Sequence, residues 1–115
     1  MTRVVEVRTY RLKRGVRPAF HALMEGESLP LVRAWGMDVV AFGPCREDAD
    51  GYVLIRAYDD VAHLRASQEA FYGSEAWRQG PREAVLAGLE AHLSVVFALD
   101  EAGIDVLRKA SLGVP

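Results

Sequence analysis

The sequence predicts an α+β fold built on an antiparallel sheet, and three observations support that class. Short runs of alternating β-branched residues indicate strands, two longer segments carry apolar residues at helical spacing, and glycine or proline separates them. Half of the 115 residues are hydrophobic, 26% are charged and the formal net charge is −2, which is typical of a soluble globular protein. We expect one domain over residues 1–115, located in the cytoplasm.

Composition and charge exclude several other classes. No apolar run approaches the ~20 residues that a membrane span needs, and the single cysteine, Cys45, rules out an intrachain disulfide framework. Residues 1–17 hold six basic groups and one acidic group, a pattern found in nucleic-acid-binding arms. Residues 4–10 alternate like a strand, however, and the chain carries no motif that reads nucleic acid. We therefore expect neither a membrane nor a nucleic-acid partner.

The first half of the chain predicts a strand, a helix and a second strand. Residues 4–12 are rich in β-branched side chains that alternate, and Gly15 then breaks the run. Apolar residues at helical spacing over residues 16–35 predict an amphipathic helix. Pro30 is expected to kink or divide this helix, because proline cannot donate a backbone hydrogen bond. Residues 37–42 form the second predicted strand.

The middle of the chain predicts a hairpin followed by a helix. A polar, turn-rich stretch at residues 46–51 leads into a third strand at residues 52–58. Asp59 or Asp60 is expected to cap the next helix, because an aspartate side chain accepts a hydrogen bond from a free amide of the first turn.

The last part of the chain predicts two more helical segments around a final strand. Ser74 is expected to cap a short turn, and a helix restarts after Gly80-Pro81. Residues 93–99 form the last predicted strand, and Asp100 caps a final helix.

The order of these elements is β-α-β-β-α-β, which is the ferredoxin-like arrangement. The core of the predicted domain covers residues 4–99. Residues 100–115 form a C-terminal extension that contains an extra helix.

The strand patterns predict that the functional unit contains more than one copy of the chain. The last strand is apolar on both faces, with Leu93 and Val95 on one face and Val96 and Ala98 on the other. Because the connecting helices cover only one face of the sheet, a second apolar face predicts packing on the sheet of a partner. We expect a symmetric homodimer.

Alternation along the strands also divides the side chains into two sets, provided that no bulge intervenes. In the first strand, the set expected to face the helices consists of Val5, Val7 and Thr9. The opposite face is expected to carry a mixed polar set, namely Glu6, Arg8, Tyr10, Arg56, Tyr58, His92 and Ser94.

Several segments together resemble a known family. Residues 5–15, Val-Glu-Val-Arg-Thr-Tyr-Arg-Leu-Lys-Arg-Gly, resemble the opening strand of the NIPSNAP family. Pro30, Arg-Ala-Tyr-Asp-Asp at residues 56–60 and Glu-Ala-Trp at residues 75–77 also fit it, whereas Ala41 stands where a glycine is expected. The resemblance implies a dimeric α/β barrel, in which two ferredoxin-like sheets close around internal cavities. It implies no particular reaction, because the family has no agreed catalytic residues to carry over.

The mixed polar set contains the candidate site. Two guanidiniums offer forked donors to an anion, and two phenols can orient or stack on an organic molecule. The predicted ligand-binding residues are Arg8, Tyr10, Arg56, Tyr58 and Ser94. The predicted catalytic residues, as proton acceptors, are His92 and Glu6. The structural alternative is that Glu6 pairs with an arginine and the tyrosines fill the dimer interface.

The predicted function is the binding of a small polar or aromatic ligand in the barrel cavity of a homodimer. Fold analogy extends this function to a cofactor-independent monooxygenase or an isomerase, and the alternative is a non-catalytic dimeric interaction module. No cofactor is predicted, because the sequence lacks a glycine-rich phosphate loop. No metal is predicted either, since His21 and Glu25 stand four apart on a helix without a third ligand.

Overall fold

The computed structural model describes residues 1–110, and its elements follow the predicted order. The four strands are β1 (Thr2–Leu12), β2 (Asp38–Pro44), β3 (Gly51–Tyr58) and β4 (Leu89–Asp100). The helices are α1 (Arg17–Leu23), α2 (Leu29–Ala34), α3 (Val61–Tyr72), α4 (Glu75–Arg78), α5 (Arg82–Gly88) and α6 (Glu101–Arg108). None of these helices is long and apolar enough to cross a membrane. The last part of the predicted C-terminal extension, residues 111–115, lies outside the described residues.

The four strands form one sheet in the order β2-β3-β1-β4, and every neighbouring pair is antiparallel. Glu6 in β1 lies opposite Arg56 in β3 and opposite Val96 in β4. Residues directly opposite each other share a face, so this register aligns the charged side chains of neighbouring strands. The strand order confirms the predicted α+β, ferredoxin-like arrangement.

The first predicted helix is divided at the expected proline. A single π-helical turn, Met24–Ser28, separates α1 from α2, and Pro30 lies in the first turn of α2. Proline has no N–H, and its ring collides with the carbonyl four residues earlier in a regular α-helix. The wider π-turn removes that collision while the chain continues in a helical path.

Three predicted helix caps are present. The side chain of Asp60 accepts a hydrogen bond from the amide of His63 at 2.7 Å, and that of Asp100 accepts one from the amide of Gly103 at 2.7 Å. Ser74 Oγ accepts a longer bond from the amide of Trp77, at 3.3 Å. These caps fix where α3, α4 and α6 begin. They therefore fix where the side chains of these helices meet the sheet.

The predicted assignment of the two sheet faces is wrong, although the division into two sets is right. The side of the sheet packed by α1 to α5 carries Tyr10, Leu12, Tyr52 and Leu54 in one buried cluster. Val5, expected to face these helices, points to the opposite side. Long aromatic and arginine side chains span the gap between sheet and helices and bury their apolar parts. The short aliphatic side chains occupy the other face, so polarity alone did not identify the helix-covered side.

The second face is covered at one end by α6. Ile104 of this helix is fully buried against Val5, Ile55 and Ala57. Arg108, at the end of α6, donates two hydrogen bonds to the Asp38 carboxylate, both at 2.7 Å. The packing and the paired hydrogen bonds hold α6 on the sheet.

The remainder of that second face is half-buried in its middle and exposed along β4. We call it the open face, and it consists of Val7, Val53, Leu93, Val95 and Phe97. The exposed fractions of Leu93, Val95 and Phe97 are 66%, 53% and 43%. Such a contiguous apolar strip on a sheet is typical of a surface that another protein covers.

Candidate functional site

A buried cluster of polar side chains lies between the sheet and α3. We call it the polar cluster, and it consists of Glu6, Arg8, Arg56, Gln68 and Tyr72. Glu6 is only 2% exposed and Arg56 is completely buried. Arg56 Nη2 donates to Glu6 Oε1 at 2.8 Å, across the β1–β3 register. A buried carboxylate needs such a partner, because an unpaired charge away from water is costly.

Arg8 connects the polar cluster to the edge strand. Its Nη2 donates to Glu6 Oε2 at 3.1 Å and to Gln68 Oε1 at 3.3 Å. Its Nε donates to Ser94 Oγ at 3.1 Å, and its Nη1 donates to the Tyr72 hydroxyl at 2.9 Å. Four of the five N–H groups of Arg8 are thus engaged within the described residues, which holds its guanidinium in one orientation.

Tyr72 is bound by both arginines. Its hydroxyl oxygen accepts from Arg8 Nη1 at 2.9 Å and from Arg56 Nη1 at 3.0 Å. A phenol has two lone pairs and one hydrogen, so the two arginines leave its O–H free to donate. Gln68, one turn earlier on α3, donates to the Tyr58 hydroxyl at 3.1 Å. The helix α3 therefore supplies two side chains that join β1 to β3.

Burial and nearby charges shift the pKa of Glu6, in the polar cluster, and of Tyr10, beside it. Burial tends to raise the pKa of Glu6, but the positive charges of Arg56 and Arg8 outweigh it and hold that pKa below its usual range. Burial raises the pKa of Tyr10 to about 12, with the nearby Tyr72 adding to the effect. At neutral pH, Glu6 is therefore ionised and Tyr10 keeps its proton. Two guanidiniums face one carboxylate, so the polar cluster carries one surplus positive charge.

A cavity of about 320 Å³ opens beside the polar cluster, between β1, β4, α3 and α5. Its walls consist of Arg8, Tyr10, Gln68, Tyr72, Trp77, Arg82, Val85, Leu86, Leu89 and His92. An apolar wall with a few convergent polar groups is typical of small-molecule sites, and the volume lies at the small end of their range. No aspartate or glutamate of the described chain is among these lining residues.

The structure brings the predicted site residues to one side of the sheet, at different depths. Arg8, Tyr10 and His92 line the cavity, and the rings of Tyr10 and His92 are 6.5 Å apart between centroids. Glu6 and Arg56 lie behind this wall without lining it. Of the two predicted proton acceptors, His92 is therefore the one that faces the cavity.

The two remaining predicted ligand-binding residues do not line the cavity. Tyr58 is 1% exposed and is bound by Gln68. Ser94 lies on the exposed edge strand, where its hydroxyl accepts from Arg8. Both contact the polar cluster, Tyr58 through Gln68 and Ser94 through Arg8.

Sequence reasoning missed Gln68, Tyr72 and Arg82. The first two follow the buried Leu64 at spacings of four on α3, so they continue its inward-facing stripe. Polar residues at inward-facing positions of a helix indicate a buried hydrogen-bond network. Arg82 gives no comparable signal, because its place on the cavity wall depends on how α5 packs in the folded chain.

Metal and thiol chemistry receive no support from the described residues. Residues 1–110 contain no group of three or more histidine, cysteine, aspartate or glutamate side chains arranged to hold a metal ion. His21 Nδ1 is 2.6 Å from the Tyr52 hydroxyl and its Nε2 is 3.2 Å from Glu25 Oε1, so both ring nitrogens have partners. Burial raises the pKa of the Cys45 thiol, which disfavours the reactive thiolate.

Comparison with known proteins identifies the fold. No protein-family model matches the chain, and no curated protein matches it either. A NIPSNAP domain protein from Burkholderia xenovorans superimposes with a TM-score of 0.75 at 24% identity, over 85% of this chain and 95% of that one. A NIPSNAP family protein with unknown function from Agrobacterium tumefaciens gives a TM-score of 0.77 at 18% identity, over 84% and 87%.

A third solved structure has a different description. It is a putative antibiotic biosynthesis monooxygenase from Nitrosomonas europaea, with a TM-score of 0.65 at 17% identity, over 86% of this chain and 91% of that one. Likenesses at these identities concern the fold. The chain therefore has the fold of the NIPSNAP domain proteins, which confirms at that level the resemblance seen in residues 5–15.

Proposed function

We propose that the protein is a homodimer that binds a small polar or aromatic molecule in the cavity between the sheet and helices α3 and α5. One observation carries the ligand part of this proposal. The cavity joins an apolar wall, formed by Trp77, Val85 and Leu86, to fixed donors on Arg8 and Tyr72. Donors held in place by their own hydrogen bonds bind a ligand without first losing side-chain freedom.

The dimer part of the proposal assigns a second copy of this chain to the open face. Leu93, Val95 and Phe97 leave an apolar strip in water, and α6 covers only the far end of the same face. Burying such a strip is favourable by about 25 cal/mol per Å² of apolar surface. A two-fold axis lets two identical apolar sheet faces cover each other.

The interaction-module alternative receives less support. It requires Arg8 and Arg56 to hold the dimer together. Both lie on the helix-covered side of the sheet, with exposed side-chain fractions of 14% and 0%. They contact α3 of their own chain, so their removal would loosen α3 rather than separate two copies.

A catalytic function is the second candidate, and the position of His92 favours it. An imidazole beside fixed N–H and O–H donors is an arrangement suited to proton abstraction from a carbon acid, in which a neighbouring oxygen takes up the negative charge. His92 would accept the proton, and Arg8 and Tyr72 would stabilise the oxyanion. Isomerases and cofactor-independent monooxygenases share this first step, and one structural neighbour is described as a putative monooxygenase.

Blocking the cavity tests the ligand proposal. Leu86 lines the cavity and is 45% exposed, so Leu86→Trp should fill the space without disturbing the fold. Val61→Trp is a matched control, because Val61 is 42% exposed and does not line the cavity. Thermal shift and tryptophan fluorescence would follow a panel of phenols, benzamides and benzoates. We expect at least one class to bind the wild type and Val61→Trp but not Leu86→Trp. The proposal fails if no member binds at millimolar concentration, or if Leu86→Trp binds equally well.

A further inference from the structure

The surplus positive charge of the polar cluster favours a ligand with a negative charge. Glu6 can neutralise one guanidinium, and Arg56 Nη2 already contacts it at 2.8 Å. Arg8 brings a second positive charge to the same carboxylate, and it is this arginine that lines the cavity. Holding an unbalanced charge away from water costs free energy. An anion in the cavity would remove that cost.

The unused donors of the polar cluster point to the same kind of ligand. The Tyr72 oxygen accepts from both arginines, so its hydrogen is left to donate. Arg8 uses four of its five N–H groups on Ser94, Tyr72, Glu6 and Gln68, and one remains. Both side chains line the cavity. A group that accepts hydrogen bonds from two donors, as a carboxylate does, fits this pair.

A third cation lies on the wall of the same cavity. Arg82 belongs to α5 and lines the same cavity. Its side chain is 44% exposed, and the nearest carboxylate oxygen is that of Glu83 at 3.6 Å, which is itself 88% exposed. A pair so exposed holds its partners weakly. Arg82 is therefore available to a ligand.

We propose that the cavity binds a small aromatic carboxylate. Its carboxylate group would be held by the Tyr72 hydroxyl, Arg8 and Arg82. Its flat apolar part would lie against Trp77 and Leu86. The proposal rests on the ligand cavity proposed above and adds the charge and shape of the ligand. It also assigns a binding role to two residues, Tyr72 and Arg82, for which the sequence alone gave no role.

A pair of probes that differ in charge tests this proposal. 2-Naphthoate and 2-naphthamide have nearly the same shape, but only the first is an anion. Isothermal titration at neutral pH should show that wild type binds naphthoate about tenfold or more tightly than naphthamide. Added salt should weaken the binding of naphthoate only, because the arginines attract it through their charge.

Variants of the arginines identify the residues responsible. Arg82 is exposed, so Arg82→Gln should fold normally and lose most of the preference for naphthoate over naphthamide. Arg65→Gln is the matched control, since Arg65 is exposed on α3 and does not line the cavity. Tyr72→Phe should also lower the affinity for naphthoate, because it removes the free O–H donor.

The outcomes separate this inference from the function on which it rests. If naphthamide binds as tightly as naphthoate, or if a neutral phenol binds and naphthoate does not, the carboxylate assignment is overturned and the cavity remains a ligand site. If Arg82→Gln keeps the full preference for naphthoate, the assignment of Arg82 is overturned. If no probe and no panel compound binds, the proposed function and this inference fail together.

Discussion

On the helix-covered side of the sheet, Glu6 and Arg56 are buried, and the hydrogen bonds of Arg56 reach the neighbouring strand and α3. On the open face, by contrast, the aliphatic Leu93 and Val95 are more than half exposed. For these residues the usual distribution, apolar inside and polar outside, is thus reversed. A reversal of this kind has a physical cost on both faces, because buried charges lose their hydration and exposed apolar groups order water.

The difference between the two faces suits two separate roles, ligand binding on one and association with another chain on the other. Buried charges are retained where they provide fixed donors, and here those donors line a cavity. Exposed apolar strips are retained where another surface covers them. The proposed ligand on one face and the proposed second copy on the other would account for both. Because the two surfaces share no residue, substitutions should affect them separately.

The largest expected effect is the loss of charge at Glu6. Glu6→Gln keeps the size of the side chain but leaves two guanidiniums without a carboxylate in a buried position. Breaking a buried pair in this way should lower the free energy of unfolding by about 3–5 kcal/mol. Urea denaturation at constant protein concentration measures it.

A carboxylate in an exposed pair provides the control for Glu6→Gln. Glu83 is 88% exposed beside Arg82, so Glu83→Gln should change the free energy of unfolding by no more than about 0.5 kcal/mol. If the two variants lost similar free energies of unfolding, the buried pair of Glu6 would contribute no more to stability than an exposed pair.

The next effect concerns the open face. Val95→Lys puts a charge in the middle of the apolar strip, and a two-fold interface carries each substitution twice. Dimer formation should weaken by about 2–4 kcal/mol, while the fold and ligand binding persist. Light scattering and sedimentation measure the mass, and circular dichroism checks the fold.

An exposed valine outside the open face is the control for Val95→Lys. Val61, at the start of α3, is 42% exposed, and Val61→Lys should leave the mass unchanged. A wild-type protein that is monomeric at micromolar concentration would contradict the dimer. So would a Val95→Lys variant that still runs at the mass of two chains.

The sequence predicted the order of the elements better than it predicted their packing. Local signals are strong where the physics is local, as in the caps at Asp60 and Asp100 and the break at Pro30. Alternation likewise grouped Glu6 with Arg56 correctly, because the side-chain period of a strand is fixed at two residues.

The sequence pattern did not predict in the same way which face of the sheet α1 to α5 cover. It depends on whether the space above the sheet suits long side chains or short ones, which is a property of the packed helices. Arg82 illustrates the same limit, since it lines the same cavity as Arg8 only because of how α5 packs in the folded chain. Of the candidate site, the sequence predicted the residues that share a sheet face and missed those that the helices contribute.

The smallest expected effect concerns the loss of stability at low pH, to which the carboxyl groups of Glu6 and Asp38 contribute. The positive charges of Arg56 and Arg8 keep the pKa of Glu6 below its ordinary 4.5, although burial opposes them. Hydrogen bonds from Arg108 keep the pKa of Asp38 below its ordinary 3.8. In both cases the unfolded chain binds the proton more readily. The stability that each group contributes is therefore present above its ordinary pKa and is lost as the pH falls below it.

The two contributions should differ in size because the two sites differ in burial. The Asp38 side chain is 28% exposed and that of Glu6 is 3% exposed, so solvent screens the Asp38 pair more strongly. Asp38→Asn should remove only a minor part of the loss of stability between about pH 5 and pH 3, measured by urea denaturation. Carboxyl ¹³C NMR should find Glu6 titrating below 4.5 in the same variant. If Asp38→Asn removed most of the acid dependence, the ion pairs that hold α6 would contribute more than the buried polar cluster, and the contrast between the two faces would lose its energetic basis.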